Sequence, residues 1–115
     1  MKTAIVILNW NGKQLLEQFL PSIVNNSENA DVYVADNAST DDSINFVKAN
    51  FPSVKIVVNN ENGGYAKGYN DALQHINADI YCLINSDIEV SKNWLPPVLE
   101  VFKEEKTQLL FNLNC

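Results

Sequence analysis

Apolar runs without alternation take turns along this chain with stretches in which apolar residues recur every three or four positions. Ala4 to Leu8 is the first run, broken off by Asn9, Asn11 and Gly12; such a run suits a strand covered on both faces. Leu15, Leu16, Phe19, Leu20, Ile23 and Val24 then fall on one helical face, with Pro21 inside it expected to kink the helix or restart it at a new first turn. Val32 to Ala35 predicts a second strand that ends in Asp36, Asn37, Ala38 and Ser39. Ser39, with Asp42 three residues on, resembles a capping box for a helix carrying Ile44, Val47 and Phe51. Val54 to Val58 predicts a third strand, closed by the polar loop 59–64, and Tyr65, Tyr69, Ala72, Leu73 and Ile76 mark a third helical face. The stretch YCLINSDIEV at 81–90 holds the fourth run, Ile80 to Ile84, which stops abruptly at Asn85, Ser86 and Asp87. Ser91 is then placed to cap a last helix bearing Trp94, Leu95, Val98, Leu99 and Phe102.

The order βαβαβαβα, with every crossover long enough to hold a helix, implies an open parallel sheet with helices on both faces and right-handed connections. Parallel strands share one direction, so Asn9, Asp36, Asn59 and the group Asn85 to Asp87 gather along a single edge, the edge at which open α/β sheets bind ligands. Any one Asn or Asp at a strand end is more often turn punctuation; four on one edge favour a site. Asp87 is a candidate ligand for Mg2+ or Mn2+, with Asn85 or Glu89 and a ligand diphosphate completing the shell. Gly63 and Gly64 match no phosphate-loop spacing and read as a turn into the third helix, with Lys67 in its first turn solvated. His75 reads as a surface residue and the Tyr65–Tyr69 pair as core, while Trp10 stands where the first strand ends. No Ser–His–Asp set, Cys–His pair or zinc spacing is present in the sequence.

Composition changes this picture in two respects. The 115 residues fit one domain, with 46% hydrophobic and 19% charged residues, ordinary for a globular protein. Eight Lys plus Arg and a net charge of −6 argue against a nucleic-acid partner. The same acidity would repel a phosphorylated ligand unless a cation or helix N-termini intervene, which strengthens the case for a metal at Asp87. Cys82 in a strand and Cys115 at the end give no disulfide framework, so a reducing compartment is the default. The apolar run near Met1 is too short for a signal peptide, and no stretch reaches the roughly 20 apolar residues of a membrane span.

VILNWNG at 6–12, VADNASTDDS at 34–43, NNENGGYAKGYNDAL at 59–73 and LINSDIEV at 83–90 together resemble the family-2 glycosyltransferases of GT-A fold, and most of all their rhamnosyltransferase-like branch. The motifs span nearly all of residues 3–105. The resemblance implies that Asn9, Asn11, Asp36 and Asn37 hold the base and ribose of a nucleoside-diphosphate sugar. It implies that Asn62, Gly63, Lys67 and Asn70 line the pyrophosphate and sugar. Asn85, Ser86 and Asp87 match the family's DxD element, with Asp87 its metal ligand for Mn2+ or Mg2+ and an amide where the first acid would stand. The implied reaction is inverting transfer to a hydroxyl of a glycan or lipid-linked acceptor in cell-surface polysaccharide biosynthesis, carried out in the cytoplasm or at the inner face of the membrane. The base that would take the acceptor proton lies beyond the DxD element in this family, so none is named.

These motifs divide the chain into a donor-binding half, residues 1–106, and an atypical tail, 107–115. Written in permissible codons and read in a shifted frame, the end of the chain gives NTIAVQPKL, a strand of the kind the resemblance leads one to expect. The expectation is a chain truncated by a frameshift. An inactive remnant that binds nucleotide weakly, or only self-associates through apolar surface left uncovered, is the competing reading. A sugar nucleotidyltransferase would need a Gly-rich basic loop after the first strand, which NWNGKQ does not supply.

Overall fold

The structure, a computed structural model, describes residues 2–105 and 110–113, with side chains described as far as Glu100. Its elements run β1 (Thr3–Asn9), α1 (Lys13–Asn26), β2 (Asp31–Asp36), α2 (Ser43–Asn50), β3 (Lys55–Val58), α3 (Tyr65–Leu73), β4 (Ile80–Asn85), α4 (Leu95–Glu105) and β5 (Leu110–Leu113). The strands form one parallel sheet in the order β3-β2-β1-β4-β5. This is the α/β open sheet that the pattern predicts, with one strand more. β5 falls within the tail that reads as atypical, at the place where the resemblance leads one to expect a strand, and pairs along the β4 edge that would otherwise leave its backbone groups unpaired.

Burial explains why the runs become strands. Ala4, Ile5, Val6 and Ile7 are all fully buried in β1, the middle strand. Ile5 and Ile7 pack on one face with Leu16, Leu20 and Ile23 of α1 and Val47 of α2, joined by Leu95 at the start of α4. Ala4 and Val6 pack on the other with Tyr69 and Ala72 of α3 and with Ile76. The connections β1 to β2 and β2 to β3 step one way along the sheet with their helices on one face. The connection β3 to β4 steps the other way with its helix on the opposite face, as a constant hand requires. Between β1 and β4 the direction of winding therefore reverses.

Two boundaries, those of α2 and α4, depart from expectation. Helix α1 runs through Pro21 as a single element and does not restart; the hydroxyl of Ser22 donates to the Phe19 carbonyl at 3.0 Å and accepts from Val90 N at 3.2 Å, tying this turn to the segment after β4. Ser39 does not cap α2, which starts at Ser43. Its oxygen is taken by the amides of Asn9 and Asn11, and the carboxylate of Asp41 instead accepts from the amide and hydroxyl of Ser43. Ser91 does not cap α4, which starts four residues later at Leu95, after a turn with Asn93 at φ 60°. Ile88 and Val90 are drawn into the core ahead of that turn, Asn26 donates to Val90 O at 3.1 Å, and Trp94 donates to Ser27 at 3.0 Å, so this stretch is tied to the end of α1. Phe102 and Cys115 lie outside the described side chains. Burial pushes the Cys82 thiol up to about 11, which leaves it an inert core residue. Among the described residues no helix is long and apolar enough to cross a membrane.

Candidate functional site

At the carboxyl ends of the strands the loops are knitted by side-chain amides and carboxylates. Asp36, fully buried at the end of β2, accepts from Asn9 Nδ2 at 3.0 Å, from the Ser39 hydroxyl at 2.7 Å and from Ser39 N at 2.8 Å. A carboxylate can be buried here because three donors replace its water. They also fix the orientation of Asn9: its NH2 must face the carboxylate, which leaves its Oδ1 buried without a partner, against Gly12. Asn11, at φ 49°, accepts from the amides of Thr40 at 2.7 Å and Asp41 at 3.1 Å and so clips the first loop to the second. Asp41 reaches the first amide of each of two helices, Lys13 N at 3.3 Å in α1 and Ser43 N at 3.0 Å in α2. Slight desolvation works against the charge, but the bonds from Ser43 and Lys13 outweigh it and hold the Asp41 carboxyl below its usual value.

A second network joins β2, β3 and α3. Asn59 donates to Asn37 Oδ1 at 2.9 Å and to Gly68 O at 3.0 Å. Asn37 donates in turn to Asn62 Oδ1 at 2.9 Å and Gly64 O at 3.2 Å. Gly64 turns the chain into α3 at φ 95°, a conformation that favours glycine, as the turn reading of the glycine pair expects. Gly68 is required for contact: a Cβ there would lie 2.9 Å from both Asn37 Nδ2 and Leu8 Cδ1.

Above these networks lies an open cavity of about 370 Å3 lined by Leu8, Trp10, Leu15, Asn37, Asn62, Gly64, Tyr65, Asn85, Ser86 and Asp87. It sits over the ends of β1 and β4, where the winding reverses, which is the crevice that open α/β sheets use for ligands. Of the residues singled out from sequence, Asn37, Asn62, Asn85, Ser86 and Asp87 meet at this cavity, with Gly63 one residue from its rim. Asn9, Asn11 and Asp36 lie beneath or beside it, their side chains committed to the loops. Lys67 and Asn70 do not line it. Lys67 instead pairs with Asp71 at 2.6 Å and Glu61 at 3.5 Å, bonds that raise its pKa, and faces a separate cavity of about 490 Å3 shared with His75.

Trp10, 54% exposed, and Tyr65, 48% exposed, bring aromatic surface to the cavity. Tyr69 is core, as expected, but Tyr65 is not. Tyr65 opens α3 directly after the glycine turn, at the level of the strand ends, whereas Tyr69 lies one turn deeper. That position in the motif was the available signal. The Tyr65 hydroxyl donates to Asn85 Oδ1 across the cavity rim. Tyr69 donates to Ile84 O at 3.0 Å, and burial, with Tyr65 close by, pushes its phenol well up.

Asp87 is the one carboxylate among the residues lining the cavity. Among the described residues no three His, Cys, Asp or Glu side chains come together as a metal cage. Glu89 is exposed and absent from the lining. The donor set therefore fits a hard cation that a ligand's phosphates largely coordinate, the usual manner of Mg2+.

Sheet order, winding reversal and a polar cavity at the reversal define an open α/β domain with a crevice at its topological switch point. Solved structures of GT-A fold superpose on most of the chain. The mannosyltransferase PcManGT of Pyrobaculum calidifontis, in complex with GDP-Man and Mn2+, matches 88% of this chain and 32% of its own, at a TM-score of 0.78 and 23% identity. TarS 1-349 of S. aureus, in complex with UDP-GlcNAc, matches 92% and 32%, at 0.76 and 23%. In sequence, the uncharacterized glycosyltransferase YfnE of Bacillus subtilis (strain 168) is 29% identical over 118 residues, 98% of this chain and 30% of that protein. Residues 4–112 match the family model Glycosyl transferase family 2, and the chain belongs to that family. It spans about a third of the length of these relatives.

Proposed function

We propose that this chain is the donor-binding portion of a glycosyltransferase that, in its full-length form, moves a sugar from a nucleoside diphosphate to an acceptor hydroxyl with inversion. The observation that carries this reading is the cavity at the β1–β4 reversal, where Asn37, Asn62, Asn85, Ser86 and Asp87 converge. The amides suit the hydrogen-bonding edges of a nucleoside, and Trp10 offers a face on which a base can stack. Asp87 would hold a divalent ion shared with the diphosphate; bound there, such an ion neutralises charge that an acidic protein would otherwise repel. The complexes of PcManGT with GDP-Man and Mn2+ and of TarS with UDP-GlcNAc support the ligand class. The set of four motifs, taken together, favours the rhamnosyltransferase-like branch. We place the protein in the cytoplasm, next to the inner face of the membrane when its acceptor is lipid-linked.

Calorimetric titration of UDP, GDP and dTDP with and without Mn2+ tests the site. At least one nucleotide should bind, more tightly with Mn2+, and Asp87→Ala should remove most of the Mn2+ enhancement while leaving binding of the nucleoside part. Equal affinity with and without metal, in the unsubstituted chain and the variant alike, would refute the role given to Asp87.

A further inference from the structure

Asparagine is followed by glycine at two places in this chain, Asn11–Gly12 and Asn62–Gly63, and both asparagines are exposed. Glycine in this position has no Cβ to shield its backbone nitrogen from the preceding side chain. The structure treats the two pairs differently. Asn11 is held at both ends of its amide: Oδ1 accepts from Thr40 N at 2.7 Å and Asp41 N at 3.1 Å, and Nδ2 donates to Thr40 Oγ1 at 3.3 Å. Gly12 is half-buried and its carbonyl accepts from Leu16 N at 2.9 Å, so this peptide is built into the start of α1. Asn62 is held at its oxygen alone. Oδ1 accepts from Asn37 Nδ2 at 2.9 Å and from Gly64 N at 3.1 Å, while Nδ2 and both backbone groups of Gly63 have no hydrogen-bond partner among the described residues. The bond from Gly64 closes a short ring that contains Cγ of Asn62 and N of Gly63, which folds the side chain back over its own peptide.

We infer that Asn62 is a site of spontaneous deamidation, at which the chain converts one amide of its cavity wall into a carboxylate. Gly63 N attacks Cγ of Asn62 and forms an N–C bond, and the two donors on Oδ1 stabilise that oxygen as it gains negative charge. The bond from Cγ to Nδ2 then breaks, and the nitrogen leaves as ammonia with the proton given up by Gly63. Water opens the cyclic imide at either carbonyl, leaving aspartate or, with the backbone rerouted through the side chain, isoaspartate. The net change is amide and water to carboxylate and ammonium. Asn62 lines the cavity of about 370 Å3, so the product adds a negative charge there to a chain already at −6. A diphosphate would be repelled; this consequence, unlike the reaction itself, rests on the donor-site reading.

Ageing of the full 115-residue chain at neutral pH tests it, with peptides mapped by mass spectrometry and the rerouted product marked by an isoaspartate methyltransferase. Asn62 should convert about tenfold faster than Asn11 in the folded chain. In urea the two rates should converge, because only the shared Asn–Gly sequence then remains. Gly63→Ala should slow conversion at Asn62 and leave Asn11 as it was; the added Cβ meets only the side chain of Lys67. Equal rates at the two asparagines in the folded chain would overturn the inference. So would an Asn62 that stays intact in the fold over the time in which the unfolded chain converts. Asn62→Asp, which mimics one product, should bind UDP more weakly than the parent; equal binding by both would count against the donor-site reading, while the ageing experiment decides the reaction.

Discussion

Gly68 lies in the helix that follows the glycine turn, with backbone underneath Asn37 and Leu8. A methyl group at that point must push aside the amide that joins β2 to α3. Gly68→Ala is therefore expected to destabilise the chain by about 1–3 kcal/mol, the usual cost of overpacking, despite the better helix propensity of alanine. It should weaken nucleotide binding as well, because Asn37 lines the cavity. Urea unfolding and nucleotide titration check both effects, and a variant as stable as the parent would show that Asn37 can move without loss. At this scale the sequence was only partly legible. Asn or Asp at each strand end was visible, and so was their common edge. Which of them lines the cavity was not, because Asn9 and Asn11 bind Asp36 and the loop at 39–41 through partners about thirty residues away. Lys67 was similarly unreadable until Glu61 and Asp71 were placed on either side of it.

Among the elements, α1 and α2 start side by side and share Asp41 as a bridge between their first amides. Its pKa is lowered in the fold from an ordinary 3.8. The unfolded chain therefore binds the proton more tightly, and stability rises with pH in this range. The contribution is fully present above about pH 4 and is lost as the pH falls through the lower folded value. Asp41→Asn should flatten that acid limb in thermal melts from pH 5 to 2, relative to the parent, and an unchanged slope would assign the limb to other carboxylates. The elements themselves were the most legible part of the sequence, since an unbroken apolar run or a helical stripe is local information. Their starts were less so. Ser39 and Ser91 have the chemistry of caps, but one hydroxyl is taken by another loop, and Ser91 is followed by a turn at Asn93 that delays α4 to Leu95.

At the scale of the molecule, the cavity offers one carboxylate among the described residues. If Asp87 serves the diphosphate, no other carboxylate among the described residues lines the cavity to take a proton from an acceptor hydroxyl. The expected outcome is that this chain binds donor nucleotide and transfers no sugar. Incubation of the chain with UDP-, GDP- and dTDP-sugars, a panel of glycan acceptors and Mn2+ should give no product by mass spectrometry, and measured transfer would overturn that expectation. The sequence by itself determined the alternation of strand and helix, the parallel sheet and the edge on which polar residues collect, because each follows from the period of burial and the direction of the chain. It also carried the motifs of the family. Only the tertiary structure decided which polar ends are struts and which line a cavity, placed that cavity at the reversal between β1 and β4, and set Tyr65 against Asn85. Those outcomes depend on hydrogen-bond partners distant in sequence, and a hydrogen bond is settled by distance and angle in space.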